Sequence, residues 1–157
     1  MKPDFIDTRP IVVAGVEREY ANPQDDDPGY EDIWMNGFMP RYAELQPLCE
    51  DRGFYGVWFG DARGGPARYL AGAAVTDGAA VPDDLAVREI PGARYAVFEC
   101  TVGTIGETYD AIFGKWLSEG HHELDPGLPH FEYYPPETAS QDSPVFIHVP
   151  VLRKRAT

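Results

Sequence analysis

The chain has 157 residues, enough for one domain with its own core, and 26 acidic against 13 basic side chains give it a formal charge of −13. That balance repels a phosphate backbone, so no direct nucleic-acid contact is expected, while the same field draws cations inward. No apolar run approaches the roughly 18 residues of a membrane span, and Met1-Lys2-Pro3-Asp4 lacks the parts of a secretion signal. The expectation is a cytoplasmic protein without a membrane partner.

Taken in chain order, the pattern strand, helix, strand, strand occurs twice. The first copy opens at Arg9–Val16 and continues through a helical stretch over 30–45, whose apolar stripe is Trp34, Phe38, Tyr42 and Leu45. Pro40 removes a backbone donor and predicts a bend or break near 37–39. Strands follow at 54–60 and 69–75, separated by the glycine-rich turn Gly60-Asp61-Ala62-Arg63-Gly64-Gly65-Pro66, which lacks the Lys-Ser/Thr of a phosphate loop. Asp25-Asp26-Asp27 and Asp83-Asp84 read as solvated turns, and 77–92 as a turn-rich connection.

The second copy repeats the order with a strand at 93–100, a helix over 105–117, and strands at 131–134 and 145–151. Thr104 and Glu107 have the spacing of a capping box, and Ile105, Tyr109, Ile112, Phe113, Trp116 and Leu117 form one broad aromatic face. Val13 and Val97, Val57 and Glu132, and Ala73 and His148 recur at similar separations, which suggests duplication of 9–76 as 93–151 within a single domain, 1–157. The expected fold is α+β, two strand-helix-strand-strand modules sharing one antiparallel sheet.

Phe131-Glu132-Tyr133-Tyr134 places a carboxylate among aromatic rings on a strand, where it is costly unless something meets it. Two readings stay open on these residues. Glu132 either accepts tyrosine hydroxyls as a core support or forms the floor of an aromatic pocket for a cationic ligand. Tyr134 shares its face of the strand. His121-His122, His130 and His148 lack ligand spacing and Cys49 and Cys100 stand apart, so neither a metal nor a cofactor is expected. The tail Arg153-Lys154-Arg155 is the one locally basic stretch, and it is short.

Arg94–Phe98, the run 105–113 with Trp116-Leu117, Phe131–Tyr134 and Ile147–Val151 together resemble the GyrI-like small-molecule-binding domains, which include effector-binding domains of AraC-type and MerR-type activators. The resemblance implies two helices flanking a ligand groove over the sheet, with Glu132 as charge partner, Tyr109, Phe113 and Trp116 contributed by the second helix, Trp34 and Phe38 by the first, and Tyr134 beside Glu132. With no segment before Arg9 or after Val151 sized for a DNA-reading module, a standalone member is expected, acting through a protein partner or by sequestration. The function expected is binding of a hydrophobic, cationic small molecule rather than catalysis. Two alternatives carried by the same resemblance are a hydrolase of reactive cyclopropane-type compounds using Glu132 with a tyrosine such as Tyr109, and a gyrase-inhibitor-like protein-interaction module.

Overall fold

Strand formation follows the two-residue alternation of apolar side chains. The computed structural model describes residues 2–20, 30–60 and 66–152, and the Asp25 run, the turn over 61–65 and the basic tail lie outside the described residues. Within them lie β1 (Asp4–Asp7), β2 (Ile11–Tyr20), β3 (Phe54–Gly60), β4 (Ala67–Ala74), β5 (Ala86–Ile90), β6 (Arg94–Thr101), β7 (His130–Tyr134) and β8 (Pro144–Pro150). They form one antiparallel sheet in the order β1-β6-β8-β7-β3-β4-β2-β5.

Exchanging β1 to β4 with β5 to β8 turns this order into its own reverse. The two halves meet where β3 pairs β7, and the leading strand of each half lies against the other half, β1 on β6 and β5 on β2. The halves are therefore interlocked at both ends of the sheet. We propose that 9–76 and 93–151 arose by duplication; β1 and β5, which complete the symmetry, lie just before those bounds.

β1 and β5 were not expected as strands. Both are short edges, and their charged residues, Asp4 and Asp7 on one, Arg88 and Glu89 on the other, read as turn while serving to block further pairing. Arg88 is tied across to β2 by hydrogen bonds of 2.9 Å to both oxygens of Glu17.

Both helical runs lie over one face of the sheet. The first, 30–48, starts as α-helix at Tyr30–Asp32, widens into a π-helical stretch at Ile33–Phe38 and tightens at Met39–Arg41, with Met39 N–H bonded five residues back to Trp34 O. The break falls where Pro40 removes its donor. The second, 105–119, carries the same widening at Ile112–Trp116, with Leu117 N–H on Ile112 O, although no proline forces it there. Gly114, a weak helix former, lies inside that stretch.

The capping box is displaced from its expected place. A 3-10 turn, Val102–Thr104, precedes the helix, so the reciprocal bonds join Thr101 to Thr104 and consume the Thr104 hydroxyl, which leaves Thr104 and Glu107 without the expected exchange.

Two apolar clusters fill the space under the helices: Ile33, Phe38, Trp58 and Tyr69 under the first, and Phe98, Ile112, Trp116 and Ile147 under the second. The far face curls on itself. Val13 and Ile90 from one end of the strand order share a buried cluster with Tyr95 from the other, together with Val57, Leu70 and Phe131. His148 stacks on Phe131 there (4.3 Å between centroids), and burial pushes its pKa down to about 4.

Candidate functional site: a buried glutamate in an aromatic cavity

On β7 the alternation sends His130, Glu132 and Tyr134 toward the helices and Phe131 and Tyr133 to the far face. Register sets Glu132 between Gly56 of β3 and Ile147 of β8. A β-carbon on Gly56 would lie 2.1 Å from the Tyr69 hydroxyl and 2.8 Å from Glu132 Oε1, so the bare glycine is what lets the Tyr69 phenol cross from β4 to the carboxylate.

Glu132 is 3% exposed and accepts three phenolic hydrogens. Tyr69 and Tyr134 each donate to Oε1 at 3.1 Å, and Tyr109, from the second helical run, donates to Oε2 through a very short contact. The Tyr69 oxygen in turn accepts the Trp34 indole N–H at 3.1 Å, so one carboxyl gathers polar groups from both helices and the sheet. Desolvation is the dominant influence and the three phenols pull the other way; the net effect is a pKa raised to about 7.

Above this cluster opens a cavity of about 890 Å³, within the range of small-molecule sites. Its walls are largely apolar and aromatic, with Trp34, Phe54, Trp58, Tyr69, Tyr109 and Tyr134 contributing rings and Met35 and Met39 forming an exposed lip. The carboxylates of Glu132 and Glu31 line it and, among the described residues, no lysine or arginine does.

Of the residues singled out in the sequence, the cavity brings together Trp34, Tyr109, Glu132 and Tyr134. Phe38, Phe113 and Trp116 are not in its lining. Phe38 is fully buried against Trp34, Tyr42 and Phe54. Phe113 stacks along Tyr109 and against His130, and Trp116 packs edge-on to Phe98 and flat on His122. A helical stripe pointing down at a sheet fills the core, and only its inner margin faces the gap between the helices. Tyr69, Trp58, Phe54, Met35, Met39, Thr138 and Gln141 were missed; for Tyr69 and Trp58 the available signal was their shared face with Glu132, which is readable only once strand register is known.

A carboxyl whose folded pKa is raised stabilises the fold when protonated. Its contribution is fully present below the unfolded value near 4.5 and is lost as pH rises through about 7. His148 has the opposite sign: its contribution is present above the unfolded value near 6.5 and is lost as pH falls toward 4. Urea unfolding of the protein and of Glu132→Gln across this range isolates the carboxyl, since His148 is common to both. The stability of the wild type relative to the variant should fall by roughly 3 kcal/mol between pH 4.5 and 7 and stay level outside that window.

The sequence profile of one family, integron-associated effector binding proteins, matches residues 6–151. The transcriptional regulator BrlR of Pseudomonas aeruginosa is 32% identical over 104 residues, 65% of this chain; the match spans 37% of that regulator's length. Among solved structures, SAV2435 bound to tetraphenylphosphonium superposes with a TM-score of 0.79 at 18% identity, covering 97% of this chain and 94% of that one. The integron cassette protein from the mobile metagenome of Vibrio cholerae gives 0.59 at 16% identity, covering 96% of each chain. At these identities the structures speak to fold.

Proposed function

The chain belongs to the integron-associated effector-binding proteins, a GyrI-like family, and from that premise we propose that it binds hydrophobic cations in the cavity over Glu132. The observation that carries the proposal is a buried carboxylate, without a basic partner among the described residues, at the floor of a cavity walled by aromatic rings.

The physical argument is one of deferred compensation. Among the described residues ionised Glu132 has no counter-charge in its low-dielectric setting, and burial raises its pKa. A cation entering the cavity supplies the counter-charge, while the faces of Trp34, Tyr109 and Tyr134 offer cation–π contacts of about 0.5–2 kcal/mol each. A delocalised charge on a greasy ion loses less hydration than a compact ammonium, so lipophilic aromatic cations are the expected class. Met35 and Met39 at the lip are pliant, unbranched side chains that accommodate ligands of differing shape. In this reading Phe38 and Phe113 act from behind, holding Trp34 and Tyr109 in place, while Trp116 packs the core against Phe98.

Tetraphenylphosphonium and tetraphenylborate share size and shape and differ in the sign of charge, which makes them the discriminating pair. The cation is expected to quench tryptophan fluorescence, Trp34 lying in the wall, and at a hundredfold excess over Kd to stabilise the protein by about 2.7 kcal/mol, several degrees in Tm. The anion should do neither. Equal binding of both ions would reduce the site to a greasy pocket, and binding of neither would remove the proposal.

A further inference from the structure

The cavity wall contributed by the second helical run has a gap in it. Val102, Ile105, Gly106 and Tyr109 all line the cavity, and their spacing puts them on one face of the run. Three of the four carry apolar or aromatic side chains, and Gly106 presents bare backbone. We infer that this gap is an aryl subsite, a recess that receives one flat aromatic arm of the ligand and so sets the size of ion the cavity admits. It rests on the proposed cation cavity and narrows its ligands to branched cations carrying several aryl groups.

Glycine is ordinarily required where φ is positive or where another group comes too close for a β-carbon. Neither condition holds at Gly106. Positive φ among the described glycines belongs to Gly60, Gly78 and Gly120, and a β-carbon on Gly106 would meet nothing within 4 Å outside its own helix among the described residues. Gly56 is the opposite case, since its β-carbon would lie 2.1 Å from the Tyr69 hydroxyl. Inside a helix glycine is a weak former that lends no side chain to packing. What its missing side chain leaves is volume, on the face that looks into the cavity.

The first run fills the matching place. The separation between Val57 and Glu132 also separates Trp34 from Tyr109 and Glu31 from Gly106, and Trp34 and Glu31 line the cavity together with Met35. A symmetric frame therefore holds a lopsided pocket, with side chains and a carboxylate along one wall and a recess in the other. A flat ring can lie against bare backbone more closely than against a branched side chain, and dispersion and apolar burial both grow with that contact. A compact ammonium ion over Glu132 has no arm to place there, whereas an ion with aryl groups directed several ways from its charged centre does.

The test is calorimetric titration of the wild type, Gly106→Ala, Gly106→Leu and Gly114→Leu at pH 8.5 with tetraphenylphosphonium, which carries an aryl arm in every direction, and with benzyltrimethylammonium, which carries one. Thermal unfolding of each protein accompanies it. Both Gly106 variants should unfold at or above the wild-type temperature, because the position is open and glycine is the weaker helix former. Tetraphenylphosphonium should lose a few-fold in Gly106→Ala and at least about tenfold in Gly106→Leu, the scale on which an overfilled apolar site is felt, while benzyltrimethylammonium changes by less than about twofold. Gly114 is equally open but does not line the cavity, so Gly114→Leu should bind both ions as the wild type does. Tetraphenylphosphonium held alike by the wild type and Gly106→Leu overturns the inference, as does loss of both cations in step or the same loss in Gly114→Leu. Tetraphenylborate separates the two readings. If it binds as tightly as the phosphonium and both weaken in Gly106→Leu, the cation proposal falls and the aryl recess stands; if the wild type binds neither bulky ion, both fall.

Discussion

Glu132→Gln is expected to weaken tetraphenylphosphonium binding about 5- to 150-fold at pH 8.5, the equivalent of about 1–3 kcal/mol, and to have little effect at pH 5.5. The amide keeps the shape of the side chain and can still accept from the Tyr69 and Tyr134 hydroxyls that now reach Oε1. What it removes is the charge. Above pH 7 the wild-type group is ionised and attracts the cation; well below it the wild type is neutral and resembles the variant. Calorimetric titration of both proteins at the two pH values checks this, and equal weakening at both would mean that Glu132 acts by shaping the site rather than by charge.

Gly56→Ala is expected to destabilise the fold by about 3 kcal/mol and to cost most of the phosphonium affinity, from a single added methyl group. The new carbon would sit 2.1 Å from the Tyr69 hydroxyl and 2.8 Å from Glu132 Oε1. Tyr69 is 1% exposed and braced by Trp58 at 4.9 Å, so its ring can retreat only by leaving that packing and its hydrogen bond to Glu132. Overpacking of about 1–3 kcal/mol adds to the loss of a buried hydrogen bond. Removing the clashing hydroxyl as well tests the cause: in Gly56→Ala with Tyr69→Phe, urea unfolding should recover part of the loss, giving a coupling energy that distant sites would not show. A neutral Gly56→Ala, or strictly additive effects, would contradict the packing argument.

The central strands were legible because alternation and β-branched or aromatic residues agree there, as in Phe54–Gly60, found as read. β1 and β5 were not, since a short charged edge has the same residue types as a loop. The helices were legible as apolar stripes, but periodicity cannot tell which part of a stripe meets the sheet. Trp34 and Tyr109 lie at the inner margin facing the cavity, while Phe38, Phe113 and Trp116 face down or sideways into packing. Glu132 drew notice as an acid among rings. Tyr69, the partner reached past Gly56, lies 63 positions earlier in the chain, and nothing local in the sequence joins the two; register across three strands does.

The central claim is that Glu132 is ionised when it meets a bound cation, and proton release on binding tests it most directly. Tetraphenylphosphonium titrated calorimetrically at pH 7 in two buffers of different ionisation enthalpy yields the number of protons exchanged. With a free-state pKa at about 7, the wild type should release about half a proton per cation bound, falling toward zero by pH 8.5, and Glu132→Gln should release none. Binding at pH 7 with no proton released, or with the same release from both proteins, would contradict the account.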